Sequence, residues 1–255
     1  MDRNLEQQIL EVEERHWWYR GRRKVIRAEL DRLSLPTAAQ ILDAGCGSGR
    51  TLEELTGYGI VHGIELDPEA AAVARARGRG EVREGRLEAL PWPDDTFDLI
   101  TCLDVLEHVP DDRGALAELR RVSKTGAWLL LTVPAYQALW SLHDAANHHY
   151  RRYSRRGLRL VALEAGWRLV RMTSFNSLLL PLAVAVRLAQ RHRRPDSNYN
   201  PELNRGPAWL NSVLERPLRA EARWLDRGGT LPVGLSLLAV FENPTLSTNG
   251  ATPEH

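Results

Sequence analysis

The chain is short of several things at once. Two cysteines, Cys46 and Cys102, stand among 255 residues and no Cys-x-x-Cys occurs, which excludes a disulfide framework and a cysteine zinc centre. Lys24 and Lys124 are the only lysines, so 32 of the 34 basic residues are arginines. The formal net charge is +1, which gives no global excess of positive charge for a nucleic-acid backbone. Long hydrophobic runs are also missing: the longest, residues 175–186, is interrupted by Asn176, Ser177 and Pro181. That falls short of the roughly 20 apolar residues that span a bilayer. The opening MDRNLEQQILEVEERHWW is charged and has no apolar core of a secretory leader, so a cytoplasmic location is expected.

What is present is ordinary in bulk and specific in order. Hydrophobic residues make up 43% and charged residues 26%, within the range of folded globular proteins. At roughly 100–200 residues per domain, the length bounds one large domain or two small ones. Residues 5–33 read as N-terminal helix interrupted near Gly21. Short apolar runs at 39–43, 59–66, 96–103 and 127–133 read as buried strands, with helices opening at Thr51, Pro68 and Arg113 between them. Ser154 caps a further helix ending at Gly166, followed by strands at 167–173 and 235–241. Strands alternating with helices predict a doubly wound α/β domain with a mostly parallel sheet. The expected layout is one domain over 1–243: a helical cap (1–35), a core (36–175), a helical lid (176–233) and a last strand (234–243). A polar tail follows over 244–255.

The glycine loop carries the first chemistry. Residues 41–50 read ILDAGCGSGR, in which Gly45, Gly47 and Gly49 alternate with Cys46 and Ser48 between a strand and a helix. Glycines here permit positive φ and let the backbone approach a ligand. The dinucleotide fingerprint Gly-x-Gly-x-x-Gly is broken, because Arg50 stands at its third glycine position. Asp43 lies just before the first glycine, where a carboxylate suits an ammonium group better than a pyrophosphate. Glu65 closes the second strand, placed to accept both hydroxyls of a ribose. An NAD-dependent sugar-nucleotide enzyme stays open as the alternative user of such a loop.

With DAGCGSG at 43–49, GIELDPEA at 63–70, LPWPDDTFDLI at 90–100 and LDVLEHVPD at 103–111, the chain resembles the class I S-adenosylmethionine-dependent methyltransferases. The resemblance implies a seven-stranded Rossmann-like sheet and S-adenosylmethionine as cofactor. Gly45, Cys46, Gly47 and Gly49 would hold the methionine part, Asp43 its amino group and Glu65 the ribose. Leu66 and Leu87 would meet the adenine and Leu103 is a further cofactor-binding candidate, while Arg86 stands where relatives carry an adenine-binding acid. Tyr19 and Arg20, in the N-terminal HWWYRGRR, are candidates for the cofactor's carboxylate. That stretch and the run WSLHDAANHHYRRY (140–153) are similar to a bacterial subgroup, related to the type 11 methyltransferases, whose substrates are mostly unassigned.

Methyl transfer to a hydroxyl needs a proton acceptor, and three histidines follow the strands that frame the cleft. His143 and His148 are the expected base candidates, with His108 third. Asp144, Tyr150, Arg152 and Tyr153 are expected to contact the acceptor. No metal is expected: of His143, Asp144 and His148, only Asp144 and His148 stand four apart. Residues 41–112 carry 16 acids and 6 arginines, net −10; residues 141–200 carry 11 arginines and 3 acids, net +8. This asymmetry suggests a cationic cofactor on one side and an anionic or amphiphilic acceptor, small or lipid- or sugar-linked, on the other. Nucleic acid is not expected. Peripheral membrane contact through 175–194 and a non-catalytic, degenerate domain remain alternative readings.

Overall fold

The computed structural model describes residues 13–190 and 208–245, with backbone alone at 142, 143, 187–190 and 208. Strands β1 (Ala39–Ala44), β2 (Gly59–Glu65), β3 (Glu81–Glu84), β4 (Phe97–Leu103), β5 (Ser123–Pro134), β6 (Arg168–Phe175) and β7 (Ser236–Glu242) form one sheet. Its order is β3-β2-β1-β4-β5-β7-β6. The pairs from β3 to β5 are parallel, and β7 runs antiparallel to both β5 and β6.

Alternation along the central strands explains their continuous apolar sequence. Ile41 and Leu42, or Leu129 and Leu130, are successive and point to opposite faces, and both faces are covered. One face packs Leu42, Ile100, Leu129 and Phe241 under α4 (Asp112–Val122) and α6 (Arg155–Glu164). The other packs Ile41, Leu99, Leu130 and Val240 under α1 (Trp17–Leu30), α2 (Arg50–Leu55), α3 (Pro68–Ala76) and α8 (Ala208–Asp226). Helix starts follow capping chemistry: Asp111 accepts from the Gly114 N–H and Ser154 from the Gly157 N–H, each at 2.9 Å.

Three local outcomes differ from the sequence reading. Gly21 does not interrupt α1; it lies inside the helix, and a Cβ there would sit 2.4 Å from Leu218 Cδ1 of α8. The glycine is a crossing point between two helices. Strand β3 (Glu-Val-Arg-Glu) has no apolar run to announce it, because on the sheet edge only Val82 is buried. Within the region read as a lid, α8 buries Leu218, Ala222 and Leu225 in the same core as Val25 and Ile26, so it is a layer of the fold. Residues 191–207 of that region and the tail beyond 245 lie outside the described residues. The short α5 (Leu142–Ala146) lies between β5 and α6, and α7 (Leu180–Gln190), on which Leu182 and Val186 are exposed, lies between β6 and α8.

The carboxyl ends of β4, β5 and β6 share a backbone feature. Asp104, Tyr136 and Asn176, none of them glycine, have φ of 57°, 59° and 57°. Left-handed backbone at non-glycine residues is costly and gathers where a ligand site demands it. These strand ends frame the cleft where open α/β sheets bind ligands.

Candidate active site

The glycine loop is shaped by close approaches on two sides and left open on the third. Gly45, Gly47 and Gly49 have φ of 81°, 54° and 83°. A Cβ at Gly45 would meet Val105 Cγ2 at 2.5 Å, and one at Gly49 would meet Ala74 at 2.9 Å, whereas one at Gly47 would meet nothing within 4 Å. The Glu65 carboxylate fastens the loop, accepting from the N–H groups of Gly47 (2.8 Å), Leu66 (2.9 Å) and Asp67 (3.0 Å). Cys46 is buried, and burial pushes its thiol far up, so it is an inert packing residue.

Asp43 sits beneath this loop with 2% of its surface exposed, accepting from Thr101 Oγ1 at 2.6 Å. Burial raises its pKa to about 7, outweighing the Thr101 hydrogen bond and the field of Arg22. A buried acid short of a cation is what an ammonium-bearing ligand would complete. Leu66 is exposed; Leu87 and Leu103 are buried.

The N-terminal helix supplies a different arginine from the expected one. Arg20 pairs with Glu215 of α8 at 3.2 Å, on the same helix face as Lys24, which meets Glu215 at 2.5 Å. Two positions on, Arg22 turns away from that face and pairs with Asp104 at 2.6 Å, at the end of β4. Arg22 and Asp104 are thus the cleft residues that the sequence reading missed. The spacing held the signal, because Arg20 and Lys24 share one side of the helix and Arg22 does not. Tyr19 lies edge-on to His16, with ring centroids 6.0 Å apart. A further contact comes from Glu13, whose carboxylate accepts from Ser48 Oγ in the glycine loop (2.6 Å) and pairs with Arg77 (2.9 Å).

On the acceptor side, the residues expected to touch substrate turn out to hold one another. Asp144 is fully buried and takes a bidentate pair from Arg152, at 2.7 Å from Nε and 3.0 Å from the second nitrogen. Arg152 also donates to the Ala135 carbonyl at 3.1 Å. Burial would raise the Asp144 carboxyl, but hydrogen bonds from His149 and Arg152 prevail and hold it well below the usual range. Tyr153 is buried and donates to Asp112 at 2.7 Å; Asp112 also pairs with Arg151. Asp144 and Arg152 therefore form one structural latch, and Tyr153 forms a second with Asp112 and Arg151. Tyr150 is exposed, and its N–H donates to the Glu107 carbonyl at 2.8 Å, tying this loop to the 3-10 turn Leu106–His108.

The histidines sort differently as well. His148 is exposed in a left-handed turn (φ 55°). The side chain of His143 lies outside the described residues. His149 is the one held by Asp144, Nδ1 to Oδ1 at 3.0 Å. Its ring meets His108 edge-on, with centroids 4.6 Å apart. Partial burial and the neighbouring His149 lower the His108 pKa to about 4, so its imidazole is neutral near pH 7. Glu107 beside them is buried, and burial together with Asp104 raises its carboxyl well above the usual range.

Among the described residues no helix is long and apolar enough to cross a membrane. The charge asymmetry also looks different in three dimensions. Arg151, Arg152, Arg168 and Arg171 are paired with Asp112, Asp144, Glu242 and Glu29, and Arg155 donates to the Met172 carbonyl.

Comparison with known proteins bears on the region just described. The family described as a methyltransferase domain matches residues 42–131. A ubiquinone biosynthesis O-methyltransferase of Thiobacillus denitrificans is 32% identical over 148 residues, covering 50% of this chain and 63% of that protein. The chain thus spans less than two thirds of the first such relative. A protein of Encephalitozoon cuniculi that carries a methyltransferase name is 30% identical over 152 residues, covering 51% of this chain and 70% of that one. Among solved structures, a chain of the complex between a Haloferax volcanii methyltransferase activator and a methyltransferase superposes with a TM-score of 0.62. It is 20% identical and covers 94% of this chain and 95% of that chain, a likeness of fold. The buried acid beneath a three-glycine loop, the sheet order and these relatives converge: the chain belongs to the class I S-adenosylmethionine-dependent methyltransferases.

Proposed function

We propose that the chain transfers a methyl group from S-adenosylmethionine to an oxygen of a small or lipid- or sugar-linked amphiphilic acceptor. The observation that carries the cofactor side is Asp43, a buried carboxyl raised to about 7 beneath the glycine loop. It awaits an ammonium group, and Gly47 faces open space above it. In this reading Asp43 takes the amino group, the backbone of Gly45–Gly49 the methionine part, and Arg22 the carboxylate. Glu65 would exchange its N–H partners for the ribose hydroxyls, with Leu66, Leu87 and Leu103 bounding the adenine.

The bound cofactor would supply an electrophilic methyl on a cationic sulfur. The rest falls to the chain: to exclude water, to align the acceptor oxygen opposite the sulfur, and to take the hydroxyl proton. As the O–C bond forms and the C–S bond breaks, that proton leaves on the His108–His149 side. This face is tied to the glycine loop through Val105, which touches Gly45. The oxygen preference is supported by this pair of imidazoles and by the O-methyltransferase among the relatives. The amphiphilic character is supported by exposed Leu178, Leu182 and Val186 beyond β6. An anionic part rests on the arginine excess of 141–200, of which five are engaged within the protein as described.

Calorimetry with S-adenosylmethionine and with NAD, followed by transfer of labelled methyl to a panel of phenols, catechols, alcohols and carboxylates, tests the proposal. Binding of S-adenosylmethionine alone and label on an oxygen are expected. NAD binding without S-adenosylmethionine binding would overturn it, and cofactor binding without turnover on any acceptor would favour a non-catalytic subunit.

A further inference from the structure

We propose that Glu107, His108 and His149 form a binding site for one divalent first-row transition cation on the acceptor side of the cleft. Each residue offers one ligand atom, and the three atoms lie within 4.8 Å of one another. Donors that share a tetrahedral ion at about 2.1 Å stand about 3.4 Å apart, so the set needs a contraction of at most about 1.4 Å. Two segments well separated along the chain contribute, and the hydrogen bond from the Tyr150 N–H to the Glu107 carbonyl joins them beside the cluster.

An independent observation points to a ligand. Glu107 is 1% exposed, yet its Oε2 has no hydrogen-bond partner among the described residues. A buried carboxylate oxygen left without a donor is costly, and a cation answers that deficit. The imidazoles are also dressed as metal ligands usually are, each with a ring nitrogen engaged by an outer acceptor. For His149 the acceptor is the Asp144 carboxylate, itself fixed by Arg152; for His108 it is the backbone of Asn147. Of the charged side chains that face the cluster, Asp104 is paired with Arg22 and Asp144 with Arg152, so neither arginine is left over to answer Glu107.

Two imidazoles and one carboxylate favour zinc, iron, cobalt or manganese over calcium or magnesium. The sequence led to no expected metal, and the set is not the His143, Asp144 and His148 grouping weighed there: Asp144 supports a ligand from behind and His148 is exposed. The inference goes beyond the proposed methyl transfer and stands on the cluster alone. If both hold, the two imidazoles hold the ion rather than take the proton, and the ion would instead lower the pKa of an acceptor hydroxyl bound to it.

The test uses the full chain without an affinity tag, stripped of metal, titrated with Co²⁺ while visible absorption is read, with Zn²⁺ as competitor. One saturable equivalent is expected. His108→Ala and His149→Ala should each weaken cobalt binding by more than about tenfold, a scale that even the loss of outer-shell partners reaches. His148→Ala, next in the chain to His149 and exposed, should leave it unchanged. Since His108 is exposed, its variant keeps the test decisive should His149→Ala fail to fold. Absence of a saturable band, or a band that survives both replacements, would overturn the proposal. Cobalt binding with no methyl transfer to any acceptor would uphold the metal site and count against the functional reading.

Discussion

Asp43 and Asp144 are both buried aspartates beside the cleft, one under the cofactor loop and one under the acceptor loop, and their carboxyls are driven in opposite directions. Asp43 has a threonine hydroxyl for company, and burial wins. Asp144 has a bidentate arginine, a histidine and the Ser141 N–H, and the partners win. Burial alone therefore says little about role. A buried acid with its cation already present is part of the scaffold, whereas one without is an offer to a ligand. The same distinction separates the two halves of the cleft: the cofactor half keeps open backbone and an unanswered charge, and most acceptor-half charges answer one another.

The largest expected effect lies on the scaffold side. Asp144→Ala leaves the Arg152 guanidinium buried without its counter-charge, a loss of about 3–5 kcal/mol for such pairs. For a chain of this size that is a fall of roughly 10 °C in Tm, measurable by calorimetry. If Asp144 were instead a free substrate contact, the Tm would barely move. Acid should act in the same direction. Because the folded carboxyl lies below its unfolded value, its contribution is present above about pH 4. It is lost as pH falls further.

Asp43→Asn should do the reverse. The variant removes a charge that the protein buries at a cost, so the ligand-free protein should melt a few degrees higher at pH 8. Its cofactor affinity should fall by more than about tenfold, the worth of one charged hydrogen bond. The sign of the pH dependence follows from the raised pKa. Between about pH 4 and 7 the unfolded chain releases this proton and the folded chain retains it, so the wild type loses stability relative to Asp43→Asn as pH rises. Above about 7 the gap is constant. Cofactor affinity runs the other way, falling as pH drops below about 7, because a proton then competes with the ligand's ammonium. Isothermal titration at pH 5.5 and 7.5 reads this directly, and an affinity independent of pH would remove Asp43 from the ammonium site.

How much of this is legible in the sequence follows from the same physics. The cofactor half is built from one contiguous motif and from strands buried on both faces, so short-range pattern carries it: Asp43, the three glycines and Glu65 stand together in space as their order suggests. Strand β3 escapes because an exposed edge needs no apolar run, and Gly21 misleads because its reason lies near the other end of the chain, at Leu218. The acceptor half is assembled from separate segments. His149 meets His108 from a different loop, and Asp144 reaches His149 because the turn at His148 takes a left-handed residue. Which of the adjacent His148 and His149 points inward is decided by that turn, and composition holds no record of it.

The smallest effect tests the N-terminal helix, where two nearby arginines divide along the same line. Arg20 is exposed by 39% and shares Glu215 with Lys24 and Arg219, so Arg20→Ala removes one of three cations from a well-supplied carboxylate. Exposed pairs of this kind contribute about 0–1 kcal/mol, so Tm should fall by no more than about 3 °C and cofactor affinity should stay within twofold. Arg22 is 12% exposed and stands between Asp104 and the field of Asp43. Arg22→Ala should weaken cofactor binding several-fold, because a cation near the ligand's carboxylate is lost. Equal effects of the two replacements on the cofactor Kd would erase the distinction between a helix that braces the fold and one that reaches into the cleft. Unequal effects would place the boundary between those tasks within a single turn of α1.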